Sequence, residues 1–513
     1  MSWQAEVDDL NRRREAALRM GTPERIKRQK DNGRLTVRER LDGLLDPDSL
    51  HEIGGLSGSA EYDEAGELVS FQASSFIFGR ARLNGREITV GAHDFTISAS
   101  NAGDVGLRKH FMQERMAHDL RLPVIRMIDG AGGSVSTIEK IGRTYVPDIP
   151  GWHNVLANLS QVPVVALGLG VIAGYPAALL VASHYSVMVR ENSHMFMGGP
   201  PVVARLGEVV TKEELGGADL QARAGAIDDV VDSEEEAFER ARRFLSYLPD
   251  SVHEVAPRTT PTDDPNRRDP WLIEAIPRDR RKVYDVRRIL RSLVDEGSLF
   301  EMGRAYGGAV VTALARLDGW PVAVMASDPR IYGGGWNAAT SQKVTRFVDM
   351  ATAFHLPVVN LVDIPGFVIG REAEMAGTIR HGCRAMASVY QSDAPWCTIL
   401  MRKSFGVAGS AHTNHSRVQY RYAWPSGDWG SMPLEGGIEA AYRAEIASAD
   451  DPAAKLAEIE ARLNKLRSPL RTAEAFMVED IIDPRETRPI LCAFANTVAK
   501  LRTPGASSFG LRP

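Results

Sequence analysis

The chain carries one long pattern twice. Ala81-Arg82-Leu83-Asn84-Gly85 returns as Ala315-Arg316-Leu317-Asp318-Gly319, and Leu122-Pro123-Val124 with Asp129 beyond it returns as Leu356-Pro357-Val358 with Asp363 beyond it. Both pairs are displaced by the same 234 positions, so no net insertion separates them. With some drift, Val162-Pro163-Val164 faces Ala394-Pro395-Trp396, and Ile227-Asp228-Asp229-Val230-Val231-Asp232 faces Val478-Glu479-Asp480-Ile481-Ile482-Asp483. A repeat of this length is domain-sized. The chain therefore reads as two copies of one domain, residues 1–255 with a helical N-terminal extension and residues 256–513.

The order of elements predicts how each copy folds. In the first copy, Phe76–Phe78, Ala81–Leu83 and Ile88–Val90 read as short strands around an Asn-Gly turn at 84–85. A helix over Ala102–Leu120, a buried strand Val124–Ile128, a helix Val155–Gln161 and a strand Val164–Gly168 follow. The second copy repeats the order: strands around 309–326, a helix from about Ser341 to Phe354, a strand Val358–Val362, a helix over about Met375–Tyr390 and a strand Thr398–Met401. Strand, strand, helix units in series imply a spiral α/β core. The Pro-, Asp- and Thr-rich stretch from Ser251 to Trp271 reads as a linker, and Ala440–Lys465 as a helical insertion found only in the second copy.

Bulk properties remove several function classes. Sixty-one basic against 66 acidic residues leave a net charge of −5, with no global field for nucleic acid. Cys383, Cys397 and Cys492 share no close spacing, which argues against a disulfide framework or zinc site and suits a cytoplasmic location. MSWQAEVDDLNRRR is not a secretory signal, and no long uncharged apolar run predicts a membrane span. Eleven Arg and Lys lie between Arg12 and Arg40. They read as a solvated helical face or subunit contact, with a grip on ligand phosphates as the sharper alternative.

No P-loop, His-Glu-x-x-His motif or nucleophile elbow is present. His412 and His415 make a weak metal pair with no Asp or Cys ligand in register, so no metal is expected. What remain are glycines placed just after strands: Asp129-Gly-Ala-Gly-Gly133, Gly168-Leu-Gly-Val-Ile-Ala-Gly174 and Lys403-Ser-Phe-Gly-Val-Ala-Gly409. The last two occupy the same region of the two copies. A strand, a glycine turn and a helix start leave outward-pointing N–H groups without partners, and such groups hold a developing oxyanion without any charged side chain. One such donor is worth about 3 kcal/mol of barrier lowering. The alternative is that these glycines only permit tight turns and close packing.

Longer stretches carry a resemblance. They include Gly33-Arg34-Leu35-Thr36-Val37-Arg38-Glu39-Arg40, Glu213-Glu214-Leu215-Gly216-Gly217-Ala218, Val362-Asp363-Ile364-Pro365-Gly366-Phe367, Arg402-Lys403-Ser404-Phe405-Gly406, Ala423-Trp424-Pro425 and Val478-Glu479-Asp480-Ile481-Ile482-Asp483-Pro484. In order and spacing the chain resembles the carboxyltransferase β subunit of biotin-dependent acyl-CoA carboxylases, the propionyl-CoA carboxylase type. The resemblance implies two duplicated crotonase-type domains of spiral ββα build. It implies homohexamers whose active sites join the first domain of one subunit to the second of another, and a partner carrying biotin carboxylase and the biotin carrier. The implied reaction moves CO2 from carboxybiotin to the α-carbon of an acyl-CoA. By the same resemblance, the amides of Gly174 and Tyr175 serve one oxyanion hole and those of Val407 and Ala408 the other. Gly132, Gly133, Ser134, Ala173 and Ser410 are the implied substrate contacts, and Gly366, Phe367 and Gly406 the implied biotin contacts. A biotin-independent crotonase-like acyl-CoA decarboxylase or hydratase is the alternative.

The chain departs from the family at these turns. The family has Gly-Gly where Gly174-Tyr175 stand, Gly-Gly-Ala-Tyr-Asp where Gly406-Val407-Ala408-Gly409-Ser410 stand, and Gly-Gly-Ala-Arg where Ala131-Gly132-Gly133-Ser134 stand. Tyr175 adds bulk and a hydroxyl, and Ser410 removes a charge from a position that lines the acyl pocket in relatives. An unusual acyl group is expected. Ser410→Asp should therefore shift the order of acyl-CoA preference in a competition assay; an unchanged order would refute the pocket argument.

Overall fold

The structure is a computed structural model and describes residues 2–100, 103–133, 138–139, 142–415 and 417–513. It divides into two compact units, Met1–Glu254 with Gly505–Pro513, and Val255–Pro504. The final nine residues, which the sequence places with the second half, thus belong to the first unit, where the Leu511 N–H donates to Ser160 Oγ at 2.9 Å.

In the first unit the Asn-Gly turn does what its residues allow. Asn84 and Gly85 both take positive φ, 52° and 77°, and reverse β4 (Phe76–Leu83) into β5 (Arg86–His93). The short strands read on either side of Gly79 are one strand, because β4 pairs with β5 without a break from Phe76 to Leu83. After the helix Gly103–Leu120, β6 (Val124–Gly130) adds parallel to β5, and β7 (Val164–Ala173) parallel to β6. The sheet is completed by β1 (His51–Ile53) beside β4, by β8 (Tyr185–Val189) beside β7, and by β10 (Asp229–Val231) beside β8, while β9 (His194–Phe196) pairs with the far end of β7. The hairpin of β2 (Gly58–Tyr62) and β3 (Leu68–Ala73) stands apart from it.

The second unit rebuilds this plan strand for strand. β11 (Phe300–Met302), β12 (Val310–Leu317), β13 (Trp320–Ser327), β14 (Val358–Ile364), β15 (Trp396–Phe405), β16 (Tyr420–Ala423) and β18 (Asp480–Ile481) follow the same order, with β17 (Asp428–Gly430) on the end of β15. The repeat also reaches further back than the sequence suggested. Asp46, after the helix Val37–Leu44, accepts the turn amides of Asn84 and Gly85; Asp295, after the helix Val286–Leu293, accepts those of Asp318 and Gly319. The expected insertion is helical, Leu434–Ala441, Arg443–Ala447 and Pro452–Asn464. Among the described residues, no helix is long and apolar enough to cross a membrane.

Central strands are largely apolar because both faces are covered: every residue of β6 and of β14 is buried. Charges inside such a layer must be paired. Arg126 on β6 donates from Nε and Nη2 to Glu114 at 2.7 and 2.9 Å, and from Nη1 to the carbonyls of Leu179 and Ala182 at 3.1 and 2.6 Å. It thereby fixes the C-terminal end of the helix Tyr175–Val181. Arg126→Gln would leave the Glu114 carboxylate buried without its cation, and should lower the stability of the first unit by about 3–5 kcal/mol, read as a shifted midpoint in urea denaturation.

Candidate active site

Each sheet breaks register at the same place. Ile128 pairs with Gly168 but Gly130 with Ile172; Val362 pairs with Leu400 but Ile364 with Ser404. One residue, Asp129 or Asp363, thus stands opposite three, Leu169–Val171 or Met401–Lys403. Such a bulge bends the strand and takes backbone groups out of the ladder, and buried backbone groups need partners. The aspartates meet the amides: the Val171 N–H donates to Asp129 Oδ1 and the Lys403 N–H to Asp363 Oδ1, each at 3.1 Å. Side chains meet the carbonyls: Leu169 O accepts from Arg40 Nη2 at 2.8 Å and Met401 O from Ser426 Oγ at 2.6 Å. Both carboxylates are fully buried and paired with guanidinium groups.

Three residues beyond these amides come the turns. Gly174, at φ 63° and ψ −124°, ends β7 and caps the helix Tyr175–Val181; Gly406, at φ 61°, ends β15 and opens the helix Gly406–Ser410. Only glycine takes such backbone angles without strain. The first amides of a helix have no partner within it, and among the described residues those of Gly174, Tyr175, Val407 and Ala408 meet no acceptor. Proline follows Tyr175, so the first turn has no N–H at residue 176, where the second has that of Ala408.

The other expected site residues gather around these turns unevenly. Ala173 is the last residue of β7, and a side chain on Gly132 would sit 2.6 Å from its carbonyl oxygen. Gly366 stands likewise beside the Phe405 carbonyl, at 3.8 Å. Gly133 faces open space. Phe367 bridges to Trp336 and lays its ring over Gly382. Ser410 uses its hydroxyl within its own turn, donating to Val407 O at 2.7 Å. Ser134 lies outside the described residues. His412 bonds Gly409 O through Nδ1 at 2.6 Å, and the His415 ring lies tilted against Tyr390, centroids 5.0 Å apart. Among the described residues, no three His, Cys, Asp or Glu side chains cluster as a metal site would require.

Tyr175 is held in an aromatic cluster with Phe111, Trp152 and His110, ring centroids 5.6 to 6.5 Å away. Its hydroxyl lies 3.0 Å from His110 Nδ1, and His110 Nε2 lies 3.5 Å from Glu114 Oε1. Burial pushes the His110 pKa down to about 3 and raises that of the Tyr175 phenol. The neutral imidazole keeps its proton on Nε2, toward the carboxylate, and accepts from the tyrosine at Nδ1. The sequence did not flag His110, Asp129, Asp363, Arg34, Arg40 or Arg402 as parts of the site. The available signal was an acid closing an apolar strand in both copies.

Comparison with known proteins agrees with this fold. The carboxyl transferase domain family matches residues 28–507. The carboxyltransferase subunit of propionyl-CoA carboxylase from Haloferax mediterranei is 32% identical over 501 residues, 96% of each chain. The methylmalonyl-CoA carboxyltransferase 12S subunit of Propionibacterium freudenreichii subsp. shermanii is 31% identical over 524 residues, covering 100% of this chain and 98% of that one. A crystal structure of a transcarboxylase 12S hexamer assembly, with methylmalonyl-coenzyme A and methylmalonic acid bound, matches with a TM-score of 0.89 at 30% identity, over 100% of this chain and 99% of that one. A duplicated α/β fold of this kind is the architecture of a carboxyltransferase. This chain belongs to the carboxyl transferase family.

The buried imidazole gives stability a pH dependence of known sign. A histidine near 6.5 when unfolded and about 3 when folded binds more protons in the unfolded state. Stability therefore falls as pH drops below about 6.5, by up to about 1.4 kcal/mol per pH unit for one such group. Urea midpoints measured from pH 7 to pH 5 should decline, and His110→Gln should lessen the decline, the rest coming from His93 and His412, which burial also holds down to about 4.

Proposed function

We propose that this chain is the carboxyltransferase component of a biotin-dependent acyl-CoA carboxylase, adding CO2 to the α-carbon of an acyl-CoA thioester. The observation that carries the reading is the pair of turns at Gly174 and Gly406, each presenting two amides that meet no acceptor among the described residues. The family membership and the two relatives support it.

In this reading the thioester oxygen lies against the amides of Gly174 and Tyr175. As the α-proton leaves, negative charge moves onto that oxygen, and two fixed N–H dipoles stabilise it without having to reorganise. The second turn suits biotin. A ureido carbonyl is a neutral acceptor that needs donors and no cation, and Val407 and Ala408 offer two amides between small apolar side chains. Carboxybiotin, when bound, would supply the CO2, and its ureido group, once relieved of CO2, would take up the α-proton. Gly366 lies beside the same turn, and Gly366, Phe367 and Gly406 are proposed as its further contacts; Gly132 and Ala173 lie beside the first, and with Gly133 and Ser134 they are proposed as substrate contacts. Ser410 is the remaining proposed substrate contact. The ring cluster around Tyr175 favours an apolar acyl group beside the first turn.

The decarboxylase or hydratase alternative is not favoured. A hydratase needs a positioned pair of glutamates; Glu214 here closes a capping box with Thr211 on the surface, and Glu213 pairs with His194. A biotin carboxylase and biotin carrier partner, homohexamers of this chain and a cytoplasmic location complete the proposal, the last consistent with three free cysteines. A panel of acyl-CoAs incubated with ATP, bicarbonate and the cognate biotin-carrying subunit should yield a carboxylated product that avidin abolishes. Product formation untouched by avidin would overturn the reading.

A further inference from the structure

We infer that Asp129 and Asp363 are positioning residues for the two glycine turns, and that the N-terminal segment around Arg34 and Arg40 is thereby part of the first turn's machinery. The inference rests on the proposed role of the turn amides. Each aspartate grips the amide three residues before its glycine, Val171 before Gly174 and Lys403 before Gly406. A strand with three residues opposite one is free to relax unless its stranded groups are held. Hydrogen bonds to an ionised carboxylate are roughly twice as strong as neutral ones, and neither carboxylate is exposed to water.

The two copies reach this arrangement with different residues. On β15 the central bulge residue is Arg402, which donates to Asp363 Oδ2 from Nε at 3.0 Å and approaches it from Nη2 at 2.8 Å; Tyr284 adds its hydroxyl at 2.9 Å. On β7 the same place is Gly170. A side chain there would collide with Asp129 and would stand 2.6 Å from Arg34 Nη1. The guanidinium groups come instead from outside the sheet. Arg40 Nη1 donates to Asp129 Oδ2 at 3.0 Å, and Arg34 Nη1 lies 3.4 Å from the same oxygen. Arg40 is oriented by Glu234, which accepts from its Nε and Nη2 at 2.6 and 3.0 Å.

A feature merely inherited through duplication would keep its residues. Here the geometry is kept while the source of the cation changes, which points to a requirement on the geometry itself. The same contacts set Arg40 apart from the other N-terminal Arg and Lys residues, most of which are exposed as the sequence reading expects. Arg40 is fully buried in an ion cluster; it is neither a solvated face nor a phosphate grip.

The test uses the full chain and the acyl-CoA that the panel above shows to be carboxylated, labelled with carbon-13 at the thioester carbonyl. On the unaltered chain, the infrared carbonyl stretch of the bound thioester should lie below its value in solution. In Asp129→Asn the amide oxygen can serve either Val171 or Arg40, not both. The stretch should return toward its solution value, and carboxyl transfer measured with the biotin-carrying partner should fall about 10²-fold in kcat with KM within about threefold. Arg34→Gln keeps the Arg40 pair, and should lower kcat about tenfold with an unchanged melting temperature; it decides the matter if Asp129→Asn fails to fold. Folded variants that keep both the lowered stretch and the rate would overturn the inference. An unaltered chain that leaves the stretch at its solution value would instead refute the role of the turn amides, and this inference with it.

Discussion

A carboxylate facing three residues across a parallel ladder is the constraint from which the rest of each unit follows. The ladder of β6 and β7, or of β14 and β15, cannot continue in register past Asp129 or Asp363. The second strand gains two residues, bends, and runs on to Ala173 or Phe405 before its glycine turns it into a helix. Buried peptide groups left without partners would make such a break costly. The aspartate, a guanidinium and one side-chain donor to the bulge carbonyl supply those partners, and a defect in the sheet becomes a fixed corner.

The corner is secured from its far side as well. The helix Tyr175–Val181 is capped at its last carbonyls by Arg126, whose partner Glu114 lies one turn from His110, and His110 holds the Tyr175 hydroxyl. One helix, Gly103–Leu120, thus carries both the cation's partner and the tyrosine's. In the second unit the short helix Gly406–Ser410 is tied by hydrogen bonds from Ser404, His412 and Tyr390 to the carbonyls of Gly409 and Ser410. The first unit uses a buried ionic chain where the second uses hydroxyls and an imidazole.

How much of this was legible depended on the range of the signal. The Asn-Gly hairpin and the apolar strands after each Leu-Pro-Val announce themselves over a few residues, and the constant 234-residue spacing exposed the duplication. The glycines after the strands were legible because a turn of that kind needs them. The role of Asp129 was not, because its partners Arg34, Arg40 and Val171 lie up to 95 positions away in the chain. Arg40 reads as one of many exposed charges until the fold buries it. The tail Gly505–Pro513 followed the second copy in sequence, and nothing local marks its return to the first unit.

A machinery made of peptide groups has a genetic consequence. On the proposed reading, the atoms that meet the substrate belong to the main chain at Gly174, Tyr175, Val407 and Ala408, and every residue except proline supplies the same N–H. Replacing Tyr175 or Val407 by alanine leaves the donors in place, so a survey by alanine scanning would pass over the reacting centre and register instead the residues that shape it. The same property leaves the flanking side chains open to reassignment over evolutionary time. Tyr175, where the resemblance implies a glycine, would be one such reassignment on the proposed reading, made beside the donor without removing it.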